Sequence, residues 1–574
     1  MDRLPRPVRS LALALVAVAF AAVTWRAMLL PLDHHHGGDW GYFEHMWEAT
    51  RVQGFALWDP FHCGGVSLWH NPQWQSLHPL YALTWVLGAR GALKVFFAVH
   101  VAVGFAGMFR LARARGDGRA AAFTAAAVWA GSGFFAWHGV TGHSTFAAFL
   151  LAPWALLAWR RAEGDVRGAV AVAGVFTAAL LAGGTYPVPY LALLLALDAL
   201  PRLRTRSGRE GVVRAAAVAL PLTLLLAAVR VVPIVEALRR EPRVMRERDS
   251  VSLHTLAEML LARDHAYDSP QHNYAWDEYG AYIGVGALAL AALGCVIALR
   301  RKHFALPMGA LLFAGLTLGD GPWWRPWSLL RHLPIYESLR VPSRFAVVLT
   351  LYLALLAASG LDALARALRA RGARRLAAAL PWAVALTLAA DLTAVSRDII
   401  EGWRPPAPLP APAARFHLVS DRGYFDEIAS LPARNVGSVG CYEPMGDDVP
   451  DSLWTGDTAQ ARIEDVGAVR RDGRDPFGVW AEVTLPRPGR VVFNQRWNPD
   501  WRADHGTVVA DDGRLAVALP AGVHRVRVRY APRSVLPSLA VTAVGLLIAA
   551  ALLRPRKSLR DSLRGAGAAP RDPR

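Results

Sequence analysis

The chain has 574 residues, of which 54% are hydrophobic, and its mean hydropathy is +0.25. This composition excludes an ordinary soluble protein, and the many apolar runs of spanning length predict a polytopic α-helical membrane protein. The formal charge of +18 is almost entirely arginine, because only Lys94, Lys302 and Lys557 among the 63 basic residues are lysines. Arginine combined with abundant alanine indicates base-composition bias, so we exclude nucleic acid as a partner.

The chain begins with three arginines (Arg3, Arg6 and Arg9) and an apolar run over 11–30. This run is too long for a typical signal-peptide core and has no clear cleavage site, so it predicts an uncleaved first helix. Further apolar segments bring the predicted number of transmembrane helices to about twelve. They cover 91–110, 119–138, 145–159, 167–184, 186–200, 213–235, 279–299, 304–318, 342–364, 376–396 and 535–553.

Arginine clusters fall on every second connection between these segments. By the positive-inside rule those connections are cytoplasmic, as are both termini, which predicts a multi-pass protein of the cell membrane. The clusters lie at 110–119, 160–167, 202–214, 300–302, 366–375 and 554–557. The longer and more polar connections are therefore expected outside: 31–90, 236–278, 320–341 and 397–534, with the short turns 138–144 and 184–187.

Residues 397–534 differ in character from the rest of the chain. A Pro/Ala linker near 405–412 leads into short alternating segments such as VWAEVTLP and HRVRVRYAP, which are separated by turn formers. This spacing predicts a small exoplasmic β-sandwich held between transmembrane helices. The expected organisation is a transmembrane domain over 1–396, the β-sandwich over 397–534, a last helix over 535–553 and a basic cytoplasmic tail over 554–574.

The first outer loop, 31–90, is dense in Trp, His, Asp and Glu, which is typical of a structured surface at a membrane face. Within it, Tyr42–Arg51 reads as an amphipathic helix lying in the interface, with Glu44, His45 and Glu48 on its polar side. Asp39 precedes this helix and is either its N-cap or a general base for an acceptor hydroxyl. Consecutive residues such as Asp33-His34-His35-His36 impose no ligand geometry, so we expect no metal or other cofactor.

Several segments resemble the YfhO-like bacterial membrane proteins. They are LWDPFHCGGVSLWHNPQWQSLHPLYAL, TGHSTFAAFLLAPWALLAW, YGAYIGVGALALA, SLRVPSRF, NPDWRA and LPAGVHRVRVRYAP. The YfhO-like proteins are similar to the GT-C-fold glycosyltransferases, which take a sugar from a polyprenyl-phosphate carrier on the outer membrane face. The resemblance therefore implies a GT-C-like transferase that moves a sugar from a polyprenyl-phosphate donor to an envelope glycan or lipid acceptor, among membrane lipids.

In the GT-C fold an acidic residue of the first outer loop acts at the catalytic centre. The resemblance places this role at Asp39, with Glu44 as a rival, although this chain has no Asp-x-Asp or Glu-Asp pair there. Arg340 and Arg344 precede the helix at 342–364 and are candidates for binding the donor phosphate, because a guanidinium donates two hydrogen bonds at once. Ordinary ion pairing of these arginines with nearby glutamates is the alternative.

Other outer residues are candidates for binding the substrate. His138 and His143 flank a short turn, Tyr186 occupies the next one, and His45 lies on the polar side of the loop helix. Among the acids at outer helix ends, Glu236 ranks first as a sugar ligand. The remaining acids of this kind are Asp277, Glu278 and Asp320.

Three questions stay open at this level. Cys63 and Cys441 both fall outside, so a disulfide between them is allowed. Trp497, Trp501, Asn494 and Asp500 either form a sugar-binding surface or pack in the β-domain, which we expect to rest over 37–81. The alternative functions are a lipid-linked saccharide flippase, which would need ionisable groups well inside its helices, and a non-catalytic assembly factor.

Overall fold

The computed structural model describes residues 5–242, 248–264, 273–420, 426–442 and 449–554. Within these ranges, seven helices are long and apolar enough to cross a membrane, so the chain is a polytopic helical membrane protein. They are Pro7–Thr24, Pro79–Ala114, Arg119–Thr141, Trp276–Arg300, Pro342–Ala370, Arg374–Ile399 and Val535–Leu553. Most of the predicted tail, 554–574, lies outside the described residues.

Shorter helices account for the other predicted transmembrane segments. Three apolar helices cover Val166–Leu181, Pro187–Ala199 and Ala305–Thr317. The segment predicted at 145–159 is a 3-10 helix, Ser144–Leu151, continued by an α-helix, Ala152–Ala162. The count of twelve transmembrane helices therefore stays a prediction.

The segment at 213–235, predicted as one transmembrane helix, is divided in the structure. Helices Arg206–Leu226 and Ala228–Arg240 meet at an angle of 79°. Arg230 lies just beyond the break, is fully buried, and donates hydrogen bonds to the carbonyls of Trp69 (3.3 Å) and Asn71 (2.6 Å). A guanidinium is costly in hydrocarbon, so the second helix turns toward the first outer loop, which supplies acceptors.

The outer β-domain, which we define as residues 413–530, contains two four-stranded sheets whose neighbouring strands all pair antiparallel. In spatial order, one sheet has strands Thr507–Asp511, Arg514–Leu519, Gly489–Arg496 and Ala461–Ile463. The other has strands Ala468–Asp475, Gly478–Leu485, Gly522–Tyr530 and Trp501–Ala503. A helix, Asp426–Arg434, and a parallel pair, His417–Val419 with Val436–Ser438, complete it.

Period-two alternation explains these strands. In Gly522–Tyr530 the apolar Val526, Val528 and Tyr530 are buried, while the arginines between them lie on the other face. Val526 stands opposite Ala481 in the neighbouring strand, so buried side chains face the same side. Residues from both sheets contribute to one hydrophobic cluster, which also includes Trp58 from the first outer loop.

The first outer loop is packed rather than laid on a membrane surface. Its helix, Trp40–Val52, which we call the first-loop helix, is buried on both its apolar and its polar sides. His45 is fully buried and Glu44 is 4% exposed, so the prediction of an interfacial amphipathic helix is wrong. Its polar groups are instead covered by protein: the imidazole of His45, for example, contacts the carbonyl of Ile428 in the outer β-domain at 2.7 Å.

Backbone contacts join the first outer loop to the outer β-domain. The amides of Cys63 and Gly64 donate to the carbonyls of Gly440 (3.2 Å) and Ser438 (2.9 Å). Cys63 and Cys441 form a disulfide across this contact, with Cα atoms 4.6 Å apart. The loop and the domain therefore form one packed unit, although they are separated by more than 370 residues of sequence.

Candidate active site

Asp39 stands in the N-cap position of the first-loop helix, yet its side chain makes no capping hydrogen bond. Its Oδ2 lies 3.2 Å from Nε2 of His143, and its Oδ1 accepts a hydrogen bond from the hydroxyl of Tyr442. The interpretation of Asp39 as a simple helix cap is therefore wrong. The carboxylate is held between a histidine from a turn between helices and a tyrosine from the outer β-domain.

Two glycines allow this approach. The amide of Asp39 donates to the carbonyl of Thr141 at 2.7 Å, which brings the loop directly against the turn after Arg119–Thr141. Gly142 has φ +98°, and a Cβ there would lie 2.2 Å from the backbone nitrogen of Trp40. Gly38 has φ +74°, and a Cβ there would lie 2.5 Å from the Thr141 carbonyl oxygen. Both positions therefore require glycine for conformation and for space.

His143 links Asp39 to a second histidine. Its Nδ1 lies 2.7 Å from Nδ1 of His138, so one ring donates and the other accepts. Burial lowers the pKa of His143, but the charge of Asp39 and the hydrogen bond to it act in the opposite direction, so the net pKa is raised. A protonated His143 donates to Asp39 through Nε2 and to His138 through Nδ1.

An ion pair lies beside the two histidines. Arg344, from the 3-10 turn Pro342–Phe345 that begins a transmembrane helix, donates through Nε to Oε2 of Glu278 at 2.7 Å and through Nη2 to Oε1. The side chains of Arg344 and Glu278 are only 4% and 10% exposed. The guanidinium carbon also lies 4.5 Å from the ring centre of Tyr186 and 4.9 Å from that of Phe146. This cation is therefore oriented by a carboxylate and two aromatic rings.

The histidines and the glutamate belong to one cluster. Ligand atoms of His138, His143 and Glu278 all lie within 4.8 Å of one another. We use the name acid–histidine cluster for Asp39, His143, His138, Glu278 and Arg344. It runs from the first outer loop to the start of helix Pro342–Ala370.

The donor set His138, His143 and Glu278 has the composition of a zinc site with an open position. Two observations oppose this use. Both oxygens of Glu278 are engaged by Arg344, and both ring nitrogens of His143 are engaged, with His138 and Asp39, so a metal would have to break contacts at Glu278 and His143; Nε2 of His138 makes no hydrogen bond among the described residues. The Arg344 cation would also lie next to the metal. The arrangement therefore suits proton transfer and anion binding better than metal binding.

Arg340 and Tyr186 adjoin this cluster. The amide of Arg340 donates to the Tyr186 hydroxyl at 3.2 Å, and the guanidinium of Arg344 lies over the ring of Tyr186. The guanidinium of Arg340 makes no ion pair with any residue that the structure describes. Six predicted site residues are thus brought together: Asp39, His138, His143, Tyr186, Arg340 and Arg344.

Three predicted residues lie elsewhere. Glu44 is paired with Arg90, whose Nε lies 2.9 and 3.0 Å from its two oxygens. Its carboxylate is thus neutralised in a buried ion pair, which makes it a poor general base. We therefore reject Glu44 as the rival of Asp39.

His45 is paired with Asp59, through Nε2 to Oδ2 at 2.7 Å. Burial lowers its pKa, but Asp59 and the Ile428 carbonyl outweigh this effect, and the net pKa is raised. Glu236 accepts from Ser534 at 2.6 Å and lies 3.1 Å from Nε2 of His70. Both side chains stabilise the junction of the loop with the rest of the protein, so their assignment as substrate ligands is not supported.

Sequence reasoning undervalued one residue and missed another. From the sequence, Glu278 is one of several acids at predicted outer helix ends, and Glu236 ranks above it as a sugar ligand. The relevant signal was that Glu278 directly precedes the apolar run at 279–299. Tyr442 gave no signal, because it lies 403 residues from Asp39 in the chain.

The predicted sugar-binding surface of the outer β-domain is largely internal. Trp501 and Asn494 are each 1% exposed and Asp500 is 5% exposed, whereas Trp497 is 37% exposed. Trp501 packs against Trp58 with ring centres 4.9 Å apart. Core packing is therefore the correct interpretation of Trp501.

No protein-family model and no curated protein matches the chain. Among solved structures it is similar to the arabinofuranosyltransferase AftD from Mycobacteria, with 19% identity, a TM-score of 0.47, and coverage of 71% of this chain and 28% of that one. The apo oligosaccharyltransferase of Archaeoglobus fulgidus gives 14% identity, a TM-score of 0.44, and coverage of 75% and 64%. ArnT from Cupriavidus metallidurans, bound to undecaprenyl phosphate, gives 13% identity, a TM-score of 0.41, and coverage of 88% and 97%. The match to AftD thus spans 28% of the length of that protein.

Proposed function

We propose that the protein is a GT-C-type membrane glycosyltransferase, which moves a sugar from a polyprenyl-phosphate donor to a cell-envelope acceptor. The proposal rests on the sequence resemblance and on one structural observation. Asp39, the acidic residue that the resemblance places at the catalytic centre, lies 3.2 Å from His143 in the cluster that also contains the buried Arg344. A candidate base and a candidate phosphate ligand therefore share one site.

In the proposed reaction, Asp39 accepts the proton of the acceptor hydroxyl. That oxygen then forms a bond to the anomeric carbon, while the bond from this carbon to the carrier phosphate breaks. His143 holds the carboxylate through Nε2, and the Tyr442 hydroxyl donates to its other oxygen. These contacts fix the direction of Asp39, and general base catalysis depends on that direction.

The leaving polyprenyl phosphate needs fixed positive charge. Arg344 binds Glu278 through Nε and Nη2, so the fork leaves Nη1 outside the ion pair to donate to phosphate. Arg340 supplies a second guanidinium from the preceding turn. We propose that these two cations are sufficient and that transfer needs no metal. Chelation by EDTA should then leave transfer unchanged, whereas loss of transfer restored by zinc would assign His138, His143 and Glu278 as ligands.

The flippase alternative has one observation in its favour, because Lys94, Arg230 and Arg344 are buried within candidate transmembrane helices. However, Lys94 donates to the carbonyl of Pro31 and Arg230 to that of Asn71, both in the first outer loop. These cations collect at one end of the helices and do not line a route between the two faces.

The experiment is complementation of a deletion strain, with mass spectrometry of the envelope glycans. Asp39→Asn should express normally and fail to restore the missing sugar. Asp33→Asn is the matched control, since it makes the same change in the same loop outside the cluster. Full restoration by Asp39→Asn would contradict the proposal, and accumulation of a carrier in the inner leaflet of the deletion strain would favour a flippase.

A further inference from the structure

A cavity of about 480 Å³ lies between the first outer loop and the outer β-domain, apart from the acid–histidine cluster. Its volume is in the range of small-ligand sites, roughly 300–1,000 Å³. Its walls come from the end of the first-loop helix, from 414–416, and from both sheets of the outer β-domain. We call it the junction cavity.

Two arginines, Arg415 and Arg474, line this cavity, and Arg474 is the one without a direct ion pair among the described residues. Its guanidinium carbon lies 4.9 Å from the ring centres of both Phe61 and Phe416, and Nη2 donates to Oε1 of Gln53 at 2.7 Å. Arg474 makes no ion pair with any residue that the structure describes. Burial lowers its pKa to about 10, and the nearby charges of Asp59 and Asp475 offset this effect only in part.

The acids around Arg474 are engaged with other residues. The carboxylates of Asp472, Asp475 and Asp59 are paired with Arg415, Arg527 and His45, respectively. Asp472 also accepts from the amide of Ala461 at 3.0 Å. An anion that enters the junction cavity would therefore meet a guanidinium whose charge is not neutralised by a direct ion pair.

The other walls suit a saccharide. Asn435 and Gln460 line the junction cavity with amide groups, and Trp480 adds an aromatic side chain. Amides donate to and accept from hydroxyl groups, and an aromatic ring packs against the apolar face of a sugar. The lining therefore combines Arg474, whose guanidinium lacks a direct ion pair, with groups that bind neutral hydroxyls, and the other charged side chains of the wall, Arg415, Asp472 and Asp475, are held in ion pairs.

The position of the cavity relates it to the candidate active site. Asp39 precedes the first-loop helix and Gln53 follows it, so the helix separates them by about 20 Å at 1.5 Å per residue. One ligand sugar cannot bridge this distance, but an extended oligosaccharide can.

We propose that the junction cavity binds an anionic sugar unit, with a carboxylate or phosphate group on Arg474, as part of an envelope glycan. The further step, that this glycan is the acceptor whose end reaches Asp39, rests on the proposed function. Binding in the junction cavity does not need the donor, so it can be measured independently of transfer.

The test uses the purified full-length protein in detergent and titration calorimetry. The probes are trigalacturonic acid, glucose 1-phosphate and the neutral trisaccharide maltotriose. We expect at least one anionic probe to bind ten-fold or more tightly than maltotriose, and the better of the two identifies carboxylate or phosphate as the recognised group. Equal affinity for all three probes, or no binding of either anionic probe, would overturn the proposal.

Variants assign the binding to this cavity. Arg474→Met keeps the stem between the two rings and should weaken the anionic probe at least ten-fold, whereas Arg471→Met, on the exposed part of the same strand, should leave it unchanged. If Arg474→Met does not fold, Gln460→Glu adds a charge to the wall at constant size and should weaken the anionic probe alone. Native affinity in a folded Arg474→Met, or in Gln460→Glu, would refute the assignment. Asp39→Asn should bind as the native protein does, which separates this result from a failure of the proposed reaction.

Discussion

Replacing Glu278 with glutamine tests the buried ion pair that orders the candidate active site. The fork from Arg344 to Glu278 is formed by side chains that are 4% and 10% exposed, so water cannot replace the lost carboxylate. Glutamine keeps the size but presents an amide to a guanidinium fork. Removing one partner of such a pair leaves an uncompensated buried charge, which costs about 3–5 kcal/mol in the free energy of unfolding.

The measurement is reversible unfolding of the purified protein in mixed micelles of increasing denaturing detergent, followed by tryptophan fluorescence. The matched control is Glu210→Gln, which removes the partner of Arg206 in an exposed pair whose side chains are 89% and 56% exposed for Arg206 and Glu210. An exposed pair contributes little because water solvates both charges. The control should therefore unfold as the native protein does.

A second variant separates charge from packing. Combining Glu278→Gln with Arg344→Met removes both charges and should recover most of the lost free energy, because a buried ion pair can be exchanged for apolar groups at little cost. A Glu278→Gln protein that unfolds within about 0.5 kcal/mol of native would refute the reasoning. So would a double variant less stable than Glu278→Gln alone.

Three further predictions follow from the site and its surroundings. Gly142→Ala should lower the free energy of unfolding by about 2 kcal/mol or more, since alanine is strained at φ +98° and its Cβ would meet the backbone of Trp40. The control Gly164→Ala places its Cβ in open space and should leave the free energy of unfolding unchanged in the same assay. Alkylation of the unreduced, denatured protein followed by mass spectrometry should label Cys295 alone, and labelling of all three cysteines would show that the disulfide is absent. The pKa of His143 is raised above its ordinary 6.5 by Asp39, so their contact should stabilise the protein fully below pH 6.5 and progressively less as the pH rises through the raised pKa. The measurement is the difference in the free energy of unfolding between the native protein and His143→Gln at several pH values. A difference that does not change with pH would contradict this prediction.

Local pattern was sufficient to locate most of the structural elements. The segments VWAEVTLP and HRVRVRYAP overlap strands Gly478–Leu485 and Gly522–Tyr530. The alternation of apolar and polar residues at period two depends only on the residues of the strand, so the sequence shows it directly. The last helix, Val535–Leu553, has the predicted bounds for the same kind of reason. The hydropathy of a segment depends only on its own residues, so the sequence determines it directly.

Hydropathy was insufficient where one residue depended on a distant partner. The run at 213–235 is apolar enough for a transmembrane helix, yet it is divided beside Arg230, whose hydrogen-bond acceptors lie in the first outer loop. The first-loop helix has the periodicity of an interfacial helix, yet its polar side is covered by the outer β-domain. In both cases the sequence correctly indicated a helix, while its surroundings were supplied by residues far along the chain.

The candidate active site shows the same division. The sequence by itself determined that Asp39, His143 and Arg344 stand next to the ends of predicted helices, because each follows or precedes an apolar run. Only the tertiary structure decided that Arg344 pairs with Glu278, 66 residues away, and that Tyr442 donates to Asp39 across 403 residues. Such contacts depend on how separate helices and the outer β-domain pack together, and the local sequence around either partner has no periodic pattern that would predict them.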